Sequence, residues 1–183
     1  SDEALAGVDV LIISSPADAL TPEEIDATTR FLREGGSLCV MLGIAWPAKA
    51  LLEEIGVSVS KGVIQERENI IGDMPLNFRA TLLEPHPIME GIDGFSVFGA
   101  WALLARGENA QVIASTSPVA WVDLDGNARL SAGDAVQSFG VVAAGTLDEG
   151  RFVVFADDVM FQNANLTGSN LDLARNLAKW FAE

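Results

Sequence analysis

Two adjacent carboxylates and a single histidine are the residues of this sequence best suited to chemistry. Asp157 and Asp158 directly follow the apolar run Arg151–Ala156, and His86 is the only histidine. Two carboxylates and an imidazole could hold a divalent cation and activate water, as in a hydrolase or a sugar-modifying enzyme. Successive side chains of a strand point to opposite faces, so the alternative is that one aspartate caps the following turn. His86 stands between two prolines, and its alternative role is to fix that turn through the backbone.

The single cysteine limits the redox and metal chemistry of the chain. One cysteine cannot form a disulfide within the chain, and one cysteine with one histidine cannot build a cysteine-based or histidine-rich zinc site. Cys39 lies inside the apolar run Ser37–Leu42, where a thiol is usually a small buried group. We therefore expect no metal site and no cofactor.

The composition indicates a folded, acidic domain. Of the 183 residues, 49% are hydrophobic and 20% are charged, and the formal net charge is −15. Such a chain should repel nucleic acid and anionic membranes. Solubility, a salty environment and a cationic partner each explain an acidic surface, and all three stay open.

The ends and apolar runs of the chain bear on its location. No apolar run approaches the ~18 residues that a membrane-spanning helix needs, so no membrane insertion is expected. Ser1-Asp2-Glu3 is acidic where a signal peptide would be basic. We expect a soluble domain, which could be the cytoplasmic or the extracytoplasmic part of a larger protein.

The first third of the chain alternates between strand and helix signals. Val8–Ser15 and Ser37–Leu42 are typical of buried parallel strands. Thr21, Pro22 and Glu24 form a capping box with proline at the first helical position, and a second helix follows Trp46-Pro47. This alternation predicts one α/β domain over residues 1–183, a flavodoxin-like three-layer sandwich with a mostly parallel sheet.

The remainder of the chain is less regular. Glu66–Arg79 is expected to be a loop, and Asp125-Gly126-Asn127 indicates a hairpin. Val136–Ala144 and Arg151–Ala156 read as buried strands, and Ser169 is expected to cap the final helix. Only a short segment precedes the first strand, so a first βα unit is expected to be missing or to lie upstream. Another chain or a symmetry mate would then cover the apolar sheet edge.

Three loops are expected to form a site, because ligands of open α/β sheets bind beyond the carboxyl ends of the strands. The loops are Ser14–Leu20, Gly43–Trp46 and Asp157–Asn165. Trp46 and Trp101 could form the floor of a sugar site, or they could belong to the core or an interface. The candidate ligand-binding residues are Ser14, Ser15, Asp18, Trp46, Asp157, Asp158 and Asn163. Asn176 or Asn170 is expected to form a hydrogen bond back to the Asp157 loop.

Several segments, in their order, resemble a known superfamily. They are Asp9–Ile13, Leu20–Glu24, Phe31–Leu38, His86–Ile92 and Gly150–Asp158. Together they are similar to the class I glutamine amidotransferase-like superfamily. They most resemble its divergent branch, which includes ThuA-like proteins, auxiliary subunits of gliding-type ABC transporters and an intraflagellar-transport domain.

The resemblance also indicates where an amidotransferase active site would lie, and the catalytic residues are missing there. Amidotransferases of this superfamily carry their cysteine nucleophile in a Gly-x-Cys-x-Gly turn after a strand. If Gly43 is the second glycine of that turn, Met41 occupies the nucleophile position, and Met41 cannot attack a carbonyl. The His-x-Glu of the family is replaced by Ala156-Asp157-Asp158. Amidotransferase chemistry is therefore not expected.

The sequence thus predicts a non-catalytic domain that binds a ligand or assembles with a protein. The ligand would be an unknown small molecule or carbohydrate, and the resemblance implies a transporter-linked or envelope complex as one setting for assembly. One alternative is a ThuA-like carbohydrate-directed hydrolase or sugar-modifying enzyme that uses Asp157 or Asp158 with His86. A second alternative is a structural oligomerisation module that pairs through its sheet edge.

Overall fold

A computed structural model describes residues 2–127 and 129–183 as an α/β fold with few helices and many short strands. The helices are α1 (Asp2–Leu5), α2 (Pro22–Arg33), α3 (Lys49–Glu54) and α4 (Ser169–Ala182), with 3-10 turns at Trp46–Ala48, Pro87–Met89 and Val159–Phe161. The strands are β1 (Val10–Ser14), β2 (Ser37–Met41), β3 (Val57–Gln65), β4 (Ile70–Ile71), β5 (Met74–Ala80), β6 (Leu82–Leu83), β7 (Phe95–Phe98), β8 (Trp101–Ala105), β9 (Ala110–Ser115), β10 (Trp121–Val122), β11 (Ala135–Val136), β12 (Gly140–Leu147) and β13 (Gly150–Phe155). Within these ranges, no helix combines the length and the apolar character needed to cross a membrane.

Ten strands form one large mixed sheet. Its order is β1-β2-β13-β12-β8-β3-β10-β11, with β9 paired to β12 and β6 paired to β9. Strands β4, β5 and β7 form a separate small sheet. Among the described residues, only the pairs β1–β2 and β2–β13 are parallel.

The prediction of a mostly parallel sheet is therefore wrong, and the fold is not clearly a flavodoxin-like sandwich. A parallel pair needs a crossover of a dozen or more residues, which α2 and its flanking loops supply between β1 and β2. Beyond the first third of the chain, short strands follow one another through turns. The tight turn at Asp148-Glu149, for example, joins β12 to β13 as an antiparallel pair. Parallel geometry is thus confined to the three strands that carry the predicted loops.

Helix α2 begins where the sequence predicts. Thr21 Oγ1 accepts a hydrogen bond from the Glu24 backbone N–H at 3.2 Å, and the Glu24 carboxylate accepts one from Thr21 N–H at 2.8 Å. This reciprocal capping box is confirmed, with Pro22 at the first helical position. It fixes the end of the loop that follows β1. In α4, by contrast, Ser169 is the first helical residue and Gly168 is the cap.

The segment predicted as a loop over Glu66–Arg79 contains β4 and most of β5. Phe78 of β5 is fully buried and lies opposite Val97 of β7. Charged residues, Gly72 and Pro75 gave the segment a loop-like composition. It folds into strands because the small sheet supplies partners for its backbone and a pocket for Phe78.

Strand β1 forms one free edge of the large sheet. Within the described residues β1 pairs with β2 alone, in the register Val10↔Ser37 to Ser14↔Met41. Ile12, in the middle of this strand, is 58% exposed. The expected exposed apolar edge is therefore present in the structure.

Candidate functional site

The three predicted loops leave the sheet side by side. Ser15 N–H donates to the Met41 carbonyl at 2.9 Å, and Leu42 N–H donates to the Phe155 carbonyl at 3.0 Å. These bonds continue the parallel ladders of β1–β2 and β2–β13 beyond the strand ends. The loop after β2 therefore lies between the loops that follow β1 and β13.

Gly43 is the point at which the three loops meet. A Cβ atom placed on Gly43 would overlap the Ser15 hydroxyl oxygen and would lie 3.0 Å from Asp158 Oδ1. Only glycine leaves room for both side chains at this position. The Trp101 indole N–H also donates to the Gly43 carbonyl at 3.2 Å, which ties the loop to β8.

Ser15 is held in an unusual backbone conformation. Its φ is +43°, in the left-handed region that residues other than glycine seldom adopt. Backbone strain of this kind persists when the surrounding structure imposes it, and it is concentrated at functional sites. Here the strained conformation sets the exposed Ser15 hydroxyl above Gly43.

The end of β2 offers no reactive sulfur. Met41 is half-buried at the last position of the strand, and Cys39 is fully buried two residues earlier. Burial raises the pKa of the Cys39 thiol to about 12, because the thiolate would lose its hydration. Cys39 is therefore neutral and away from solvent, as expected for a small core residue.

The two aspartates have different surroundings. Asp157 is buried, and its Oδ2 accepts from Phe98 N–H at 2.7 Å while its Oδ1 accepts from Val159 N–H at 2.8 Å. The pKa of this carboxyl is raised to about 6, mainly by burial and to a smaller extent by the charge of Asp158, while the backbone hydrogen bonds act in the opposite direction. Asp158 is half-buried and points to Gly43. Asp157 therefore holds the backbone, and Asp158 lies beside Gly43.

His86 lies at the opposite end of the sheet. Its Nδ1 accepts from Ile88 N–H at 3.2 Å, and its ring meets the Trp180 ring edge-to-face with centroids 5.3 Å apart. The Trp180 carbonyl accepts from Arg151, at the amino end of β13. Asp157 follows the carboxyl end of the same six-residue strand, roughly 20 Å away. The structure therefore does not bring His86 together with the aspartates.

The His86 imidazole fixes its turn, as the alternative role predicts. Its Nδ1 already accepts a backbone N–H, so in the neutral ring the proton is on Nε2. Burial lowers the pKa of this histidine, which favours the neutral form. Asn176 also holds the turn, because its Nδ2 donates to the carbonyls of Ile88 and Glu90 at 3.2 and 2.7 Å.

Asn170 is the residue that anchors the Asp157 loop. Its Nδ2 donates to the Met160 carbonyl in that loop at 3.2 Å and to the Ser96 carbonyl at 3.1 Å. Its Oδ1 accepts from Ser96 N–H at 2.8 Å. The expected contact from Asn170 to the loop is confirmed, whereas Asn176 reaches the His86 turn instead. Asn163 is exposed within the loop.

An exposed aromatic residue stands beside Gly43. Trp46 and Ile44 are 56% and 58% exposed, and the Lys49 ammonium lies 5.3 Å from the centroid of the Trp46 ring. Leu20 N–H donates to the Pro47 carbonyl at 3.2 Å, which holds the loop carrying Asp18 against this segment. The sequence analysis missed Ile44 and Lys49, although Lys49 follows Trp46 by three residues, a helical spacing that brings side chains together.

A second group of carboxylates lies far along the sheet. Asp123, Asp125 and Asp134 have carboxylate oxygens within 4.8 Å of one another, a spacing that could hold a metal ion. The same oxygens organise the loop between β10 and β11. Asp134 accepts from the N–H groups of Leu124 and Ser131, which lower its pKa, and Asp125 accepts from Asn127. These bonds account for the cluster without an ion.

Comparison with known proteins identifies one family model, described as "Domain of unknown function (DUF4350)", that matches residues 1–178. A comparison with curated proteins gave no match. Among solved structures, the mmIFT52 N-terminal domain is similar with a TM-score of 0.79 and 18% identity, over 100% of this chain and 81% of that chain. A cytoplasmic protein from Salmonella typhimurium has a TM-score of 0.64 and 17% identity, over 98% of this chain and 74% of that chain. A ThuA-like protein from Bacteroides uniformis has a TM-score of 0.53 and 19% identity, over 98% and 71%.

These similarities establish a shared fold. At such low identity they carry no activity, ligand or partner over to this chain. The resemblance read from the sequence is therefore supported at the level of a ThuA-like or IFT52-like fold. Membership of the wider amidotransferase-like superfamily is not established by these similarities.

Proposed function

The chain belongs to the family described as a domain of unknown function (DUF4350), and from that premise we propose that it is a non-catalytic recognition domain. Its binding surface is the one formed at the carboxyl ends of β1, β2 and β13. We name it the Trp46 surface and define it by Ser15, Asp18, Ile44, Trp46 and Asp158. The observation that carries the proposal is the convergence of three loops on Gly43, with a strained serine and an exposed tryptophan beside it.

Two features argue against catalysis at this surface. Acyl transfer requires a nucleophile within hydrogen-bonding reach of a base. If Gly43 is the second glycine of an amidotransferase-like turn, Met41 occupies the nucleophile position. Cys39 is buried with its pKa raised to about 12, and His86 lies at the other end of β13. The alternative of a hydrolase built from Asp157 and His86 lacks the required proximity. Asp157 also uses both oxygens to hold the backbone.

Two further features support recognition. Exposed aromatic residues beside polar groups are typical of binding surfaces, because they offer a large contact area at low entropic cost. The Trp46 surface stands on parallel strands and a capped helix, so its loops are held by a rigid scaffold. We also infer an amidotransferase-like ancestry for the chain. That ancestry would explain why the Trp46 surface lies at the turn after β2, where amidotransferases carry their nucleophile.

Site-specific crosslinking tests this proposal. Trp46 is replaced by the photoreactive amino acid p-benzoylphenylalanine in the full-length protein, which is expressed in the cells that produce it. We expect irradiation to give a discrete adduct, detected as a mass shift, because the reactive ring replaces an aromatic ring at the centre of the surface. The same amino acid placed at Val136, which is 48% exposed on β11, provides the control.

Adducts that form equally at both positions, or at neither, would contradict the proposed surface. The purified wild-type protein is also incubated with L-glutamine, and we expect no ammonia release. Release of ammonia at a rate above that of the Met41→Ala variant would contradict the absence of catalysis.

A second candidate function is self-association through β1. The specific observation is the free edge of this strand with Ile12 58% exposed at its centre. Val8 and Phe31 also line a cavity of about 820 Å³ next to the amino end of this edge. Unpaired backbone groups on an apolar edge are a template for pairing with another strand. The net charge of −15 on each copy opposes such pairing.

Light scattering decides whether this second function operates. If β1 pairs between copies, Ile12→Lys should convert an oligomer into a monomer, because the lysine places a charge in the pairing edge. Leu104→Lys is the matched control, since Leu104 is equally exposed but lies on β8 inside the sheet. A wild-type protein that stays monomeric at high concentration would exclude this function.

A further inference from the structure

The exposed face of Trp46 already attracts a cation within the chain. The Lys49 ammonium lies 5.3 Å from the centroid of the indole ring, within the range of a cation–π interaction. The ring quadrupole that attracts this ammonium would attract any other cation presented to the same face. The Lys49 ammonium therefore occupies the position over the ring that a cationic ligand would take.

Lys49 can leave the ring without becoming unpaired. Its ammonium also lies 3.3 Å from the Glu53 carboxylate, one turn further along α3. Both side chains are largely exposed, so this ion pair holds Lys49 only weakly. An incoming cation can therefore displace Lys49 from the ring while Lys49 keeps its bond to Glu53.

Carboxylates stand on both sides of the Trp46 loop. Asp18 is exposed in the loop after β1, which is bonded to the Trp46 loop through Leu20 N–H and the Pro47 carbonyl. Asp158 reaches the loop from β13, where its Oδ1 would lie 3.0 Å from a Cβ on Gly43. The chain as a whole carries a net charge of −15, which increases the encounter rate with cations. The charge of the surface is thus complementary to a basic partner.

We propose that the Trp46 surface binds a protein segment presenting an arginine or lysine side chain, whose cationic group replaces Lys49 over the Trp46 ring. Asp18 and Asp158 stabilise the charge from the two sides, and Ile44 contacts the apolar stem of the side chain. This inference rests on the proposed function, since it names the chemistry of the partner at the same surface. Among the explanations of the acidic composition, it selects the cationic partner.

The test uses a fluorescently labelled, acetylated and amidated peptide with two arginines separated by glycine. Its control is the same peptide with citrulline, which keeps the shape of arginine and loses the charge. Binding to the full-length protein is measured by fluorescence anisotropy at a fixed salt concentration of about 0.15 M, where charges further apart than roughly 8 Å are largely screened. We expect the arginine peptide to bind and the citrulline peptide to bind at least ten-fold more weakly.

Lys49→Met is the discriminating variant. Removal of the competing ammonium should tighten binding of the arginine peptide by about three-fold, within the range of an exposed cation–π interaction. Lys179→Met changes the net charge equally at the far end of α4, where the lysine is also exposed, and should leave the affinity nearly unchanged. Trp46→Leu, which keeps an apolar side chain, should weaken binding by about three- to five-fold.

The outcomes separate this inference from the proposed function. Equal effects of Lys49→Met and Lys179→Met, or an unchanged affinity in Trp46→Leu, would overturn the inference, because they indicate attraction by net charge alone. If the benzoylphenylalanine at position 46 gives its adduct while the arginine and citrulline peptides bind alike, the recognition surface stands and its cationic partner is excluded. Thermal unfolding of each variant confirms that the exposed substitutions leave the fold intact.

Discussion

Asp157→Asn is expected to be less stable than the wild-type protein at pH 4–5, by about 1–3 kcal/mol. Both oxygens of this buried carboxyl accept backbone N–H groups, from Phe98 and from Val159. An asparagine has one acceptor oxygen, so its amide nitrogen would face one of these donors. The loss is structural, because the bond from Phe98 joins the Asp157 loop to β7 and the bond from Val159 holds the turn within the loop.

The pH dependence of this loss distinguishes Asp157 from other carboxylates. Its pKa is about 6 in the folded protein against an ordinary value of 3.8, because burial disfavours the charged form. A raised folded pKa means that the folded state holds the proton more tightly than the unfolded state does. The resulting stability is fully present below pH 3.8 and is lost as the pH rises through about 6.

Urea unfolding of both proteins between pH 4 and pH 7 measures this effect. Asparagine does not titrate, so the stability difference between the proteins should narrow by up to about 3 kcal/mol as the pH rises. Parallel profiles for the two proteins would show that Asp157 is not the titrating group. Asp18→Asn, which removes a carboxylate from an exposed position, is measured as the control.

Glu66→Ala is expected to destabilise the protein by on the order of 4 kcal/mol. Glu66 is buried, and its carboxylate accepts from Ser117 N–H at 2.9 Å and from the Ser117 hydroxyl at 2.6 Å. It also accepts from Arg67 N–H and Glu68 N–H at 2.7 and 3.1 Å. Ser117 is itself buried, so the truncation leaves its N–H and its hydroxyl without an acceptor and away from water. Each unsatisfied donor costs about 1–3 kcal/mol.

Chemical denaturation with a neighbouring variant checks this prediction. Glu68→Ala removes the same side chain from an exposed position two residues away and should change stability by no more than about 0.5 kcal/mol. Glu66→Gln keeps one acceptor oxygen and should lie between the two. A Glu66→Ala protein as stable as Glu68→Ala would mean that water satisfies Ser117.

Local signals sufficed for the part of the fold that carries the site. The capping box at Thr21 acts within four residues, and the apolar runs of β2 and β13 are continuous, as expected for strands buried on both faces. The run of β1 is similar, but this strand lies at the sheet edge and Ile12 is exposed. Since parallel strands end at the same edge, the sequence could also predict that their loops meet. Ser15 and Asp158 do lie against Gly43, and Trp46 follows Gly43 by three residues in the same loop.

The errors arose where pairing is not local. The short strands between β3 and β12 pair antiparallel because of packing contacts between residues that are distant in sequence. A local stretch of sequence therefore does not predict these pairs. Glu66 has the composition of a loop residue, yet Ser117, a distant residue, makes its burial possible. The hydrolase hypothesis combines His86 with Asp157 or Asp158, whereas Trp180 holds His86 at the other end of β13.

The sequence by itself determined the chemical inventory and the local elements. One cysteine, one histidine and a net charge of −15 already restricted nucleophilic and metal chemistry, whatever the fold. The tertiary structure decided which aspartate is buried, which tryptophan is exposed, and that Lys49 stands over Trp46. The physical reason is range: capping and backbone preferences act over a few residues, whereas burial, desolvation and charge depend on neighbours that folding brings together.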